Sequence, residues 1–133
     1  MKTNPHILLI DDDHIFCMIA KEMLTNAGFS VKTASNGHKG IQLLRDHPTL
    51  FDAILLDRIM PEFSGLDALH KLCLIPEIRD IPVILLTAYA SDKHVETATM
   101  YGVFYILHKP IDTDALVKTL NQALRENHRK TTI

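Results

Sequence analysis

Three consecutive acids, Asp11-Asp12-Asp13, close the apolar run His6 to Ile10, and a fourth, Asp57, closes the run Ala53 to Leu56. Thr87 follows Val83 to Leu86 in the same way, and His108-Lys109-Pro110 follows Val103 to Leu107. Each group has an ordinary explanation when taken singly. An acid run before a helix is more often an N-cap placed favourably at the helix dipole than a site. Thr87 alone is a strand-end hydroxyl, and Lys109 alone a solvated charge. Their joint occurrence at the ends of different apolar runs is what shifts the balance. A carboxylate nucleophile flanked by a cation, an ammonium and a hydroxyl is equipped for phosphoryl transfer, which depends on positioning and on neutralising the phosphoryl oxygens.

Gathered carboxylates need a partner. Like charges about 4 Å apart repel by about 4 kcal/mol at an effective dielectric near 20, so a cluster of Asp12 and Asp57, with Asp11 beside them, resists full ionisation. A bound cation removes the conflict. The available ligands are hard oxygens, with no His or Cys placed to join them, and that donor set suits a partly hydrated octahedral Mg²⁺ better than zinc. The reaction expected from these residues is phosphorylation of an aspartate.

The elements that must position them follow from periodicity. His6 to Ile10, Phe29 to Ala34, Ala53 to Leu56, Val83 to Leu86 and Val103 to Leu107 read as five strands. Segments of helical spacing follow each one, such as Ile15, Ile19, Met23 and Ala27, or Leu116, Leu120, Ala123 and Leu124. Gly28 suits the left-handed residue after the first helix, and Asp112 an N-cap for the last. Ser64 and Ser91 are further expected caps. Strict alternation implies right-handed crossovers and a parallel sheet covered on both faces, hence an α/β fold. Ligands then bind beyond the carboxyl ends of the strands, where the acids, Thr87 and Lys109 fall. Ser30-Val31-Lys32-Thr33 alternates as an edge strand does. The last helix is expected to end near Asn127, giving a domain over 1–127 and a polar tail over 128–133.

With 133 residues the chain suits one domain, and 47% apolar content allows it a core. A formal charge of −2 offers no basic excess for nucleic acid or an anionic membrane. The first apolar run is too short for a signal-peptide core or a membrane span, so the expected compartment is cytoplasmic. Cys17 and Cys73 are read as two buried reduced thiols inside helices.

The sequence resembles the receiver domains of two-component response regulators, including the single-domain chemotaxis regulators. The resemblance rests on four ordered blocks: Ile7-Leu8-Leu9-Ile10-Asp11-Asp12-Asp13, Asp52 to Pro61 with Gly65 following, Pro82 to Ala88, and Lys109-Pro110. It implies a flavodoxin-like, doubly wound five-stranded parallel sheet of order 2-1-3-4-5 with five helices and a cis Lys109-Pro110 peptide. By the same resemblance Asp57 is the phosphoacceptor for a sensor histidine kinase or phosphotransfer protein. Mg²⁺ is held by Asp11, Asp12, Asp57 and the backbone carbonyl of Ile59, and Thr87 and Lys109 contact the phosphoryl oxygens. Output runs through the fourth helix, fifth strand and fifth helix, to a downstream protein target or a second copy. The family's usual aromatic switch position holds Ile106 here, with Tyr105 beside it, so Thr87, Ile106 and Tyr105 are the switch candidates. Ile59 and Tyr89 carry no amide or carboxylate to orient hydrolytic water, which implies a long-lived aspartyl phosphate.

Rival readings exist. A haloacid dehalogenase-like phosphatase would use Asp11 as nucleophile with Mg²⁺, but the chain is short for one and leaves Asp57-x-x-Met60-Pro61 without a role. A flavin or nucleotide carrier needs a Ser/Thr/Gly-rich loop after the first strand, where this chain is triply acidic. A pseudo-receiver would not need the complete set of acids, Thr87 and Lys109.

Overall fold

A computed structural model describes residues 4–57, 65–88 and 92–131. The elements alternate as β1 (His6–Ile10), α1 (His14–Asn26), β2 (Ser30–Ala34), α2 (Gly37–Asp46), β3 (Ala53–Asp57), α3 (Gly65–Cys73), β4 (Val83–Thr87), α4 (Asp92–Met100), β5 (Tyr105–His108) and α5 (Thr113–Thr131). All strand pairs are parallel. The order β2-β1-β3-β4-β5 is the doubly wound arrangement expected, with β2 at an edge.

Strand alternation sorts the core into two layers. Leu8, Ile10, Ile54, Leu56, Val83 and Leu85 face α2, α3 and α4, where they meet Ile41, Leu44, Leu69, Leu72 and Ala98. Ile7, Leu9, Ala53, Leu55, Ile84 and Leu86 face α1 and α5, where they meet Ala20, Leu24, Leu116 and Leu120. The central strands β3 and β4 are buried along their whole length, which is why they read as unbroken apolar runs.

Caps place several helices as the sequence requires. Asp13 accepts the Phe16 N–H at 3.0 Å and starts α1, and Asp112 accepts the Ala115 N–H at 3.0 Å and starts α5. Gly28 takes a φ of 100°, the left-handed conformation that lets the chain leave α1. The Lys109–Pro110 peptide is cis. The expected caps Ser64 and Ser91 lie outside the described residues.

Three details depart from the sequence reading. First, α1 turns Cys17, Ala20 and Leu24 inward, while Ile15 and Ile19 point to solvent beside Met18. The helix carries two apolar stripes, and the sheet takes the one in which small Cys17 and Ala20 allow close approach and Leu24 fills the core. Second, β5 begins at Tyr105 and not Val103, because Val103 and Phe104 donate to Ala98 and Val83 carbonyls in the approach to the strand. Third, α5 continues to Thr131, beyond the end expected near Asn127, so 128–131 prolong the helix. No Gly or Pro stops it.

One close approach is testable. A Cβ added at Gly40 in α2 would lie 2.8 Å from Ile10 Cγ1 and nearer still to its Cδ1. Ile10 is fully buried in the strand that leads to the acids, so it has little room to yield. Overpacking costs about 1–3 kcal/mol against a helix-propensity gain of up to about 1 kcal/mol. Gly40→Ala is therefore expected to lower the stability measured by urea unfolding by about 1 kcal/mol.

Candidate functional site

The strand ends that face α1 and α5 bring the chemical groups together. Asp11 stands one residue beyond β1, Asp57 is the last residue of β3, and Lys109 follows β5. Oxygens of Asp11, Asp12 and Asp57 all lie within 4.8 Å of one another. Lys109 Nζ donates to Asp11 Oδ2 at 2.7 Å and lies 3.4 Å from Asp57 Oδ1. Asp11 is held by a second bond, its Oδ1 accepting the Asp13 N–H at 3.0 Å. Asp11 and Asp57 are buried, whereas Asp12 is exposed at the rim. Asp13, the third acid of the run, caps α1 and takes no part in the cluster.

Among the described residues, three carboxylates meet one ammonium, which leaves the cluster electrostatically unbalanced. Burial, and then the neighbouring Asp11 charge, push the Asp57 carboxyl from 3.8 up to about 6, against the opposing pull of Lys109. Burial works against the Lys109 ammonium, but hydrogen bonds and charge from Asp11 and Asp57 outweigh it and raise its pKa. The Cys17 thiol, near Asp11, is driven from 9.0 up to about 11 by burial and then by the acidic charges, which keeps it a protonated, unreactive group. Asp57 is thus a carboxylate that gains from an added positive charge. Three converging hard oxygens with an exposed edge at Asp12 fit a divalent cation that keeps part of its water shell.

Thr87 reaches the same rim from the other side of the sheet. It is fully buried at the end of β4, its carbonyl accepts the Lys109 N–H at 2.7 Å, and it pairs in register with His108. Alternation places Thr87 on the α4 side with Ile106, whose register partner is Leu85. Tyr105 projects to the opposite side and is 55% exposed at the sheet edge. Ile59 and Tyr89 lie outside the described residues, so the backbone ligand and the shielding pair assigned to them do too.

One contact was not anticipated from the sequence: the Phe16 ring lies under the Lys109 ammonium, 4.4 Å from Nζ to the ring centroid. Its only sequence signal is position, since Phe16 falls in the first turn of α1, three residues after the Asp13 cap.

Comparison with known proteins bears on the family and the fold. The response regulator receiver domain profile matches residues 7–121. The transcriptional regulatory protein GlrR of Escherichia coli K12 is 36% identical over 126 residues, which are 92% of this chain and 27% of that protein. The transcriptional regulatory protein CpxR of the same strain is 35% identical over 92% of this chain and 50% of its own length. The chain thus spans between about a quarter and a half of these relatives. Among solved structures, a receiver domain from Clostridium thermocellum superposes with a TM-score of 0.85 at 28% identity, covering 97% of this chain and 99% of its own. The chemotaxis protein CheY4 of Vibrio cholerae does so with a TM-score of 0.85 at 25% identity, over 91% and 99%.

Proposed function

This chain belongs to the response regulator receiver domain family, and from that premise we propose that Asp57 accepts a phosphoryl group from a phosphohistidine of a sensor kinase or phosphotransfer protein. The observation that carries this is the convergence of three carboxylates within 4.8 Å, with Lys109 Nζ bridging Asp11 and Asp57. An Asp57 oxygen forms the new bond to phosphorus, and the bond from phosphorus to the donor imidazole nitrogen breaks with its electron pair moving to that nitrogen. Lys109 supplies fixed positive charge to the phosphoryl oxygens, and the Thr87 hydroxyl donates to them once the group has arrived. Asp11, Asp12 and Asp57 would hold Mg²⁺, with the Ile59 carbonyl as a further ligand; the ion supplies charge neutralisation of the phosphoryl oxygens. The chain catalyses a reaction only on itself.

The phosphatase reading with Asp11 as nucleophile loses its ground. Asp11 is 1% exposed, with both oxygens engaged by Lys109 and the Asp13 N–H, and the family match is to receivers. Reductive trapping of the acyl phosphate followed by peptide mapping separates the two. Modification at Asp57 is expected, and modification at Asp11 would overturn the proposal.

A phosphohistidine must come within bonding distance of Asp57, so its carrier has to cover the rim. Among the described residues, the helix that springs directly from the acids carries an exposed apolar stripe, Ile15, Met18 and Ile19. Replacing these three with Ser is expected to slow transfer from a phosphorylated kinase by at least about tenfold, the scale of lost interface anchors. Uptake from acetyl phosphate, which needs no docking, should be unchanged in the same variant.

Among the switch candidates, Ile106 shares the face of Thr87, whereas Tyr105 does not. This supports Ile106 as the residue that responds to Thr87, with Tyr105 and Met100 exposed on the α4-β5-α5 surface for a downstream protein or a second copy. No helix among the described residues is long and apolar enough to cross a membrane. The proposed phosphotransfer is a cytoplasmic function.

A further inference from the structure

Among the described residues the Lys109 ammonium has neighbours of two kinds, the carboxylates at Asp11 Oδ2, 2.7 Å, and Asp57 Oδ1, 3.4 Å, and the Phe16 ring, with its centroid at 4.4 Å. The two carboxylates change their engagements during the reaction, since both belong to the cluster that would take up the cation and one of them forms the bond to phosphorus. The ring does not. An aromatic face attracts a cation through its quadrupole, which neither metal binding nor phosphorylation removes.

Phe16 is also well fixed. Its N–H is held by the Asp13 cap at 3.0 Å, and its side chain packs partly buried against the core between the sheet and α1 and α5. The lysine side chain, at 20% exposure, lies between this ring and the carboxylates. A long flexible amine has many rotamers to lose on being aimed at a phosphoryl oxygen, and a face that already holds it removes much of that cost.

We propose that Phe16 is a positioning residue for phosphorylation of Asp57, its ring face keeping the Lys109 ammonium aimed at the site while Asp11 and Asp57 engage the cation and the phosphoryl group. This rests on the phosphoacceptor reading of Asp57 given above. Phe16 touches no reacting atom and acts only through the lysine. An aliphatic side chain of similar size fills the same space without the quadrupole, whereas Tyr preserves it.

The test compares wild type, Phe16→Leu, Phe16→Met and Phe16→Tyr, with Met as a second aliphatic replacement should Leu not fold. Initial rates of uptake from acetyl phosphate with Mg²⁺ are measured across donor concentration, and Lys109 side-chain resonances are followed by NMR. The aliphatic variants are expected to lose about 5- to 10-fold in kcat, on the scale of a partly desolvated cation–π contact. Phe16→Tyr should keep the wild-type rate. In wild type the Lys109 methylene protons should be shifted upfield by the ring current, and the aliphatic variants should abolish that shift. Equal rates for wild type and the aliphatic variants, equal losses for the aliphatic and Tyr variants, or unshifted lysine signals in wild type would each overturn the role of Phe16. No uptake by wild type would instead bring down the phosphoacceptor reading, and the proposal with it.

Discussion

Asp57→Asn is expected to take up no phosphoryl group from acetyl phosphate while being more stable than wild type in metal-free buffer at pH 7.5. Loss of uptake follows from removing the nucleophile, since an amide oxygen does not form the acyl phosphate, and intact mass reads it directly. The gain in stability follows from linkage. Asp57 has its folded pKa raised from 3.8 to about 6, so the folded state binds the extra proton between those values and stability falls as pH rises through the window. The cost of the ionised carboxylate is complete above about pH 6 and absent below about pH 4. Asparagine removes it, for a gain of about 1 kcal/mol once solvent access at the rim is allowed for. Thermal melts from pH 4 to 8 should therefore converge at the acidic end. Added Mg²⁺ should stabilise wild type more than the variant, closing the gap from the other side. A variant less stable than wild type at every pH would contradict the account of a charge-strained cluster.

Removing the counter-charge should do the reverse. Lys109→Met leaves the fully buried Asp11 side chain and the nearly buried Asp57 facing each other without the ammonium that bridges them. Breaking a buried ion pair by deleting one partner costs about 3–5 kcal/mol, and the partial exposure of Lys109 brings the expectation to about 2–3 kcal/mol in metal-free buffer. The loss should shrink toward pH 4, where Asp57 is protonated, and saturating Mg²⁺ should restore a large part of it. Phosphoryl uptake should stay slow in Mg²⁺ even so, because the cation occupies the acidic cluster and does not replace an amine aimed at the phosphoryl oxygens. Urea unfolding with and without Mg²⁺, together with uptake rates, separates the two roles. Recovery of stability without recovery of rate is the expected pattern.

What the sequence disclosed and what it concealed divide along physical lines. Residues at strand ends were legible because a parallel sheet places every carboxyl end on one rim, so Asp11, Asp57, Thr87 and Lys109 could be grouped before any coordinates. Gly28 and Asp112 were legible because left-handed backbone and N-caps favour particular residue types. The inward face of α1 was not, since Ile15 and Ile19 are as apolar as Cys17, Ala20 and Leu24, and only close packing on the sheet selects between the stripes. Phe16 was hidden for a related reason. A partly buried aromatic on a helix is ordinary core material, and nothing in its spacing says that the lysine following β5 arrives over its face.

The sheet itself separates two events. Asp11, Asp57 and Lys109 occupy the side of α1 and α5, whereas Thr87 and Ile106 belong to the side of α4. On the proposed function, a modification received on one surface of this five-stranded wall reaches the other at the wall's upper lip, where Thr87 ends β4. Loading of the acceptor and output on the far surface are therefore expected to be separable.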